Sequence, residues 1–274
     1  MPNGTLYLVA TPIGNLEDIT LRAIRVLGET DVIACEDTRH TMPLLARHGI
    51  KKKLVSYFGA REKDKARELV EYLREGKSVA LVSDAGMPGI SDPGALVVRQ
   101  AIGEGFEVIP VPGPTALAAA LAASGMDTAR FSFEGFLPKG THERRARLVE
   151  LAGDTRTLVF YESPRRLVET LREMLLAMGD RDAAVARELT KIHEEFIRGT
   201  ISEILKGVGE GEVRGEVVIV LAGAKGEIDW GKVDLPAYVK YLEEKMGIDR
   251  KSALKLAAQL SGIAKSALYK AVKM

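Results

Sequence analysis

The 274-residue chain is 46% hydrophobic, enough material for one large core or two moderate ones, and its formal charge of +1 argues neither for nor against a polyanionic partner. Residues 235–274, however, carry eight Lys or Arg against three Asp or Glu, so basic charge gathers at the C-terminal end. A single cysteine, Cys35, excludes an internal disulfide. No apolar run approaches the ~20 residues of a membrane span and no signal-peptide pattern opens the chain, so a soluble, cytoplasmic protein is expected.

In chain order, short apolar runs predict strands at residues 6–10, 32–35, 54–57, 79–83 and 107–110. A second set is predicted at 131–136, 157–161, 184–188, 195–198 and 216–221. Helical periodicity intervenes, clearest at 64–74, 116–123, 142–151 and 164–177. Runs such as "SVALVS" are continuously apolar, as expected where helices cover both faces of a sheet. The fold class is therefore α/β. Two groups of about five strands point to two sheets, with a boundary near 123–130; one ten-stranded sheet is less usual. The expected domains are 1–124, 125–224 and a helical tail at 235–274, with 207–212 a surface turn and 224–234 a linker. In the tail, Ala258, Gly262 and Leu268 have helix-turn-helix spacing, with Ser266 and several Lys facing outward. A three-helix cap packing on the body fits that spacing as well, and the basic charge tips the reading toward nucleic acid.

Three Gly- and Pro-rich stretches follow predicted strands: "ATPIGN" (10–15), "SDAGMPGISDPG" (83–94) and "PVPGPTA" (110–116). Loops at the carboxyl ends of strands are where open α/β sheets bind ligands. None of the three is a P-loop, because no Gly-Lys-Ser/Thr follows, and none is a dinucleotide G-x-G-x-x-G after the first strand. What remains is a ligand held mainly by backbone amides and carbonyls. Two polar clusters also follow strands: "CEDTRHT", with Glu36, Asp37, Arg39 and His40, and "RELTKIHEE", with Arg187, Glu188, Lys191 and Glu194. The four histidines lack metal-ligand spacing with Cys35, so no metal site is expected.

Seven motifs in register carry a resemblance: "LYLVATPIGNLEDITLRAI", "CEDTRHT", "SDAGMPGISDPG", "VPGPTALAAALAASG", "GFLPKG", "FYESPRR" and "RELTKIHEE". Over residues 5 to about 222 the chain resembles the ribosomal RNA small subunit methyltransferase I family of the tetrapyrrole-methylase-type (class III) S-adenosylmethionine methyltransferases. The resemblance implies two α/β/α domains with an S-adenosyl-L-methionine cleft between them, usually in a homodimer. It also implies 2′-O-methylation of a cytidine in the decoding region of 16S rRNA, on free rRNA or the small ribosomal subunit. Tetrapyrrole members carry G-x-G-P-G after the first strand, where this chain has Ala10-Thr11-Pro12-Ile13-Gly14-Asn15, which favours the RNA branch over a tetrapyrrole or protein acceptor. A regulator sensing a nucleoside-like ligand is the reading from a different class.

On that resemblance, Asp84, Ala85, Gly86 and Met87 line the methionine part of the cofactor, with Ile90 nearby, while Ser91, Asp92 and Gly94 form the turn. Thr115 and Ala116 are a second cofactor contact and the Pro12 carbonyl a third. Lys191 is the expected cation orienting the acceptor hydroxyl, and Glu36 or Asp37 the proton acceptor. Tyr161 is placed against cofactor or target base. Arg39, Lys139, Arg144, Arg145, Arg165 and Arg166 are expected phosphate contacts, against the alternatives of a solvated helix face at 139–148 and of helix capping by Ser163.

Overall fold

The computed structural model describes residues 4–57, 62–208, 215–225 and 235–273. They form two compact units: the described residues up to Ala119 with Glu188–Glu194, and Ala120–Arg187 with those from Glu195 onward. The expected turn at 207–212 and linker at 224–234 lie largely outside the described residues.

In the first unit, β1 (Thr5–Val9), β2 (Val32–Cys35), β3 (Lys53–Ser56), β4 (Val79–Val82) and β5 (Glu107–Val111) form an all-parallel sheet in the order β3-β2-β4-β1-β5. The crossovers are α1 (Leu21–Glu29), α2 (Thr38–Arg47), α3 (Glu62–Arg74) and α4 (Ala95–Gly103), and α5 (Ala116–Ser124) follows β5. The central strands VIAC and VALV are buried at every position, as a sheet covered on both faces requires. Helices α1 and α2 pack over Val9, Ile33, Cys35, Ala80 and Val82. Helices α3 and α4 pack over Leu6, Val32, Ala34, Val55, Val79 and Leu81. Thr20 and Asp37 fix the starts of α1 and α2 by accepting hydrogen bonds from the Ala23 and Arg39 amides.

In the second unit, β6 (Phe131–Phe136), β7 (Thr157–Glu162), β8 (Asp182–Arg187), β9 (Glu195–Thr200) and β10 (Val217–Leu221) form a mixed sheet in the order β6-β7-β10-β8-β9. Only β6 and β7 run parallel; the other three pairs are antiparallel. Helices α6 (Thr141–Glu150), α7 (Leu167–Met178) and α8 (Ile201–Val208) cover one face over Leu158, Phe160, Val185 and Ile219. The helix expected at 164–177 splits into a 3-10 turn, Pro164–Arg166, and α7, which Gly179 ends. Residues 207 and 208, expected in a turn, belong to α8.

The tail comprises α9 (Leu235–Met246), α10 (Arg250–Ser261) and α11 (Lys265–Lys273), with its own core of Val239, Leu242, Ala253, Leu254, Ala257 and Leu268. Gly262 ends α10 at φ 66°, Leu268 anchors α11, and Ser266 is exposed. The tail groups with the second unit rather than standing apart, and the Tyr241 hydroxyl donates to the Leu176 carbonyl of α7.

Candidate functional site

The sheet of the first unit gathers the Gly- and Pro-rich loops at one edge. All five strands point the same way, so the loops after β1, β2, β4 and β5 share their carboxyl ends. The chain leaves β2 for one face and β4 for the other, which makes these neighbours the topological switch point where such sheets bind ligands.

The β1 and β4 loops are locked together by a short antiparallel bridge. The Thr11 amide donates to the Gly86 carbonyl at 2.9 Å, and the Gly86 amide to the Thr11 carbonyl at 3.0 Å. Gly86 sits at φ 80°, which a side chain would strain. The buried Thr11 hydroxyl donates to the Ser83 carbonyl at 3.1 Å, and the Ser83 hydroxyl to the Ala85 carbonyl at 3.1 Å. Main-chain groups of 83–86 are thus preset. Pro12 is buried, Ala85 and Met87 are half-buried, and Asp84 and Ile90 are exposed on the same loops. On the β5 loop, the Thr115 hydroxyl is buried with no hydrogen-bond partner among the described residues, and Ala116 opens α5 beside it. An orphaned buried hydroxyl costs about 1–3 kcal/mol, a cost removed by a ligand that bonds to it.

Four acidic residues, Glu36, Asp37, Asp84 and Asp92, lie near enough at the switch point to feel one another's charge. The Asp37 amide donates to Asp84 Oδ1 at 3.0 Å, and Glu36 and Asp92 interact with the same charge. Burial, reinforced by Asp84, Asp92 and Asp37, pushes the Glu36 carboxyl above its ordinary range. Burial does the same to Asp92. Asp37 behaves oppositely: the Arg39 guanidinium and amide hold its carboxyl down at about 2. Asp37 is committed to capping α2 and to Arg39, which leaves it a weak base. Of the two expected proton acceptors, Glu36 is thus the stronger base.

The segment Glu188–Glu194, between β8 and β9, belongs to the first unit and packs on the β1 loop. The Asn15 amide donates to the Thr190 hydroxyl at 3.0 Å. Gly14 makes that approach possible, since a Cβ there would lie 2.6 Å from Lys191 Cγ and 2.8 Å from the Leu189 carbonyl. Lys191 Nζ pairs with Glu188 Oε1 at 2.9 Å. Glu188 and Thr190 both take positive φ, 49° and 66°, a strain that clusters at functional loops.

The remaining expected residues lie in the second unit. Tyr161 makes edge contacts with Phe133 and Phe136, at ring-centroid distances of 4.9 and 5.7 Å. Lys139 and Arg165 are exposed. Arg166 is braced by buried Glu162 at 2.7 Å and donates to the Leu137 carbonyl at 3.2 Å, so it ties the "GFLPKG" loop to the "FYESPRR" turn. Ser163 makes no side-chain cap. Arg144 corrects the sequence expectation. Only 2% exposed, it is bound by Glu173 and Glu169, each at 2.5 Å, which removes it from the expected phosphate contacts. Arg145 shares Glu173 at 3.0 Å and stays partly exposed.

Sequence reasoning passed over Thr11, Gly14 and Thr190, and gave Asp92 to the turn, where its carboxyl proves half-buried near the Asp84 charge. Only Thr11 carried a local signal, a hydroxyl at the junction of a buried strand and a Pro-Ile-Gly turn. Among the described residues there is no group of three or more His, Cys, Asp or Glu that could hold a metal, and no helix long and apolar enough to cross a membrane.

Comparison with known proteins bears on this arrangement. The family model of tetrapyrrole (corrin/porphyrin) methylases matches residues 5–205. A Thermotoga maritima protein named ribosomal RNA small subunit methyltransferase I is 50% identical over 220 residues, spanning 80% of this chain and 99% of that protein. Its Bacillus subtilis namesake is 44% identical over 274 residues, spanning 98% and 94%. Among solved structures, uroporphyrin-III C-methyltransferase from Thermus thermophilus complexed with S-adenosylhomocysteine superposes with a TM-score of 0.58 at 24% identity, covering 80% of this chain and 97% of that one. A diphthine synthase gives 0.61 at 15% identity, covering 95% and 100%. At these identities the two structures speak to the fold.

Proposed function

Because this chain belongs to the ribosomal RNA small subunit methyltransferase I family, within the tetrapyrrole methylases, we propose that it methylates the 2′-hydroxyl of a cytidine in the decoding region of 16S rRNA. The methyl donor is S-adenosylmethionine. The observation that carries the acceptor is identity of 44–50% with two relatives of that name, one spanning 98% of this chain. A homodimer acting in the cytoplasm on the small ribosomal subunit completes the reading.

The residues fit the donor. Its sulfonium and ammonium make it a net cation, and the switch point presents Glu36, Asp84 and Asp92 to a cation. Thr115 supplies a buried hydroxyl awaiting a partner, and the 83–86 loop supplies preset main-chain groups. When bound, the donor supplies an electrophilic methyl carbon on positive sulfur. Glu36, whose carboxyl is held above its ordinary range by burial in the free site, accepts the proton of the 2′-hydroxyl. Lys191 stabilises the negative charge developing on that oxygen. Arg39, Lys139, Arg145 and Arg165 are the cations assigned to phosphates, and Tyr161 is assigned to the cofactor or target base.

Two tests address the cofactor site. Thr115→Val keeps the shape and removes the orphaned hydroxyl. It is expected to leave thermal stability equal or slightly raised and to weaken S-adenosylmethionine by about tenfold, read by calorimetry. Equal affinity would remove Thr115 from the site. The acids predict a pH dependence. With raised pKa values, Glu36 and Asp92 hold their protons in the free site to higher pH than ordinary carboxyls do, and a cationic ligand expels those protons over that window. Affinity for the donor is therefore expected to fall as pH drops through that window, with proton release visible in buffers of different ionisation heat. In the free protein these two groups act oppositely, destabilising the fold as pH rises through the same window. Glu36→Gln with Asp92→Asn should flatten both trends.

The reading as a whole is tested with labelled S-adenosylmethionine and small ribosomal subunits from cells lacking this activity. One alkali-resistant dinucleotide in 16S rRNA is the expected product, because a 2′-O-methyl group blocks cleavage there. Binding without transfer would point to a tetrapyrrole or protein acceptor, or to a sensor that does not consume the donor.

A further inference from the structure

Ile192 is 97% exposed, an isoleucine standing between Lys191 and His193. A lone surface isoleucine needs no explanation, but this one is held in place. Its neighbours Leu189 and Thr190 are anchored, Leu189 by burial and Thr190 by the Asn15 amide and by its own amide donating to Glu194 Oε2 at 2.6 Å. The Lys191 amide donates to the Glu188 carbonyl at 3.0 Å and the Glu194 amide to the Lys191 carbonyl at 3.1 Å, which closes the segment on itself. Two residues in the left-handed region complete a rigid turn that presents an apolar tip to water.

The tip lines an open cavity of about 580 Å³ within the first unit. Its walls include Leu16, itself 39% exposed, Asn15, Arg47, Lys191 and His193. That volume falls within the roughly 300–1,000 Å³ range of small-ligand sites. The lining offers an apolar surface for a ring, an amide for base edges and an exposed guanidinium for phosphate. Apolar wedges inserted between nucleic-acid bases unstack them, and unstacked bases are then held face-on.

We propose that Ile192 is a wedge that unstacks the nucleotide neighbouring the methylated one, and that this cavity between the β1 loop and the Glu188–Glu194 segment receives its base, with Arg47 on its phosphate. The inference rests on the RNA-acceptor reading above. It places the wedge one residue from Lys191, so the side chain that splays the RNA and the cation assigned to the reacting ribose move as one rigid segment.

The test uses the full-length protein and unmethylated small subunits. Ile192→Ala is expected to raise KM for subunits about tenfold, in line with the energy of one stacked base, with kcat within about twofold and S-adenosylmethionine affinity unchanged. Ile192→Leu should recover most of the loss. Chemical probing of the subunit should show the base beside the mapped methylation site becoming reactive with the wild type and staying protected with Ile192→Ala. Unchanged KM and reactivity in Ile192→Ala, while the wild type labels subunits normally, would overturn the wedge and leave the reading intact. Failure of the wild type to label subunits would remove both. A fall in sedimenting mass for Ile192→Ala would also overturn it, by making Ile192 a contact between copies of the chain.

Discussion

Replacing Lys191 with Met is expected to cut turnover by about 10²–10³, the usual cost of removing one group that stabilises a developing oxyanion. Methionine is the informative substitute because the lysine stem packs where Gly14 leaves room, and Met preserves that stem while deleting the charge. S-adenosylmethionine affinity should stay within about twofold, since Lys191 is assigned to the acceptor oxygen rather than the donor. The Glu188 partner sharpens the test. Glu188→Gln frees the ammonium from its 2.9 Å ion pair while leaving the cation in place, so it should cost far less than Lys191→Met. If Lys191→Met turns over at the wild-type rate under saturating donor and subunits, the cation has no part in the chemistry. If it loses donor affinity instead, Lys191 belongs to the cofactor site.

Arg144→Ala is expected to destabilise the second unit by about 3–5 kcal/mol, the cost of leaving a buried charge without its partner. Glu173 is itself only 5% exposed, and Arg144 is its closer partner at 2.5 Å. Arg145, at 3.0 Å and on the rim, compensates in part. At the scale of this unit the change corresponds to a Tm lower by roughly 10 °C. Replacing the pair together, Arg144→Met with Glu173→Leu, should restore most of the stability, because an apolar pair of similar volume carries no desolvation cost. The variants also separate a structural brace from an RNA contact. A phosphate-binding arginine contributes about one unit to the salt slope of RNA affinity. Arg144→Met with Glu173→Leu should leave that slope unchanged, whereas Arg165→Ala or Lys139→Ala should reduce it.

The burial of Arg144 has a counterpart in the sequence pattern. Arg144, Leu148 and Leu151 stand at i, i+4 and i+7, the spacing of one helix face, and Leu148 and Leu151 are buried in the core. Read by charge, "HERRARL" is a solvated helix; read by period, one of its arginines must point inward and find carboxylates. Glu169 and Glu173 supply them from α7, a neighbour that no local pattern names. Asp37 followed the same course. Its place after a buried strand marks it as a candidate acid, but an acid two residues before an arginine at a helix start is also a cap, and the structure shows it capping α2 and holding Arg39.

The strands, their apolar continuity and the Gly- and Pro-rich loops after them were written in the sequence, because burial on both sheet faces demands β-branched runs and sharp loops demand Gly and Pro. Motif order carried the family as well. The sequence had no means to state that the second sheet is mostly antiparallel, that Glu188–Glu194 belongs to the first unit, or that Glu36 and Asp92 share a pocket of charge. Strand direction depends on which strands pair, and pairing is decided by packing over long separations. A carboxylate's proton affinity depends on burial and on charges that approach only in space. Residue types and their periods are local and can be read along the chain; the electrostatics of the site, and the wedge held beside it, exist only once distant segments are brought together.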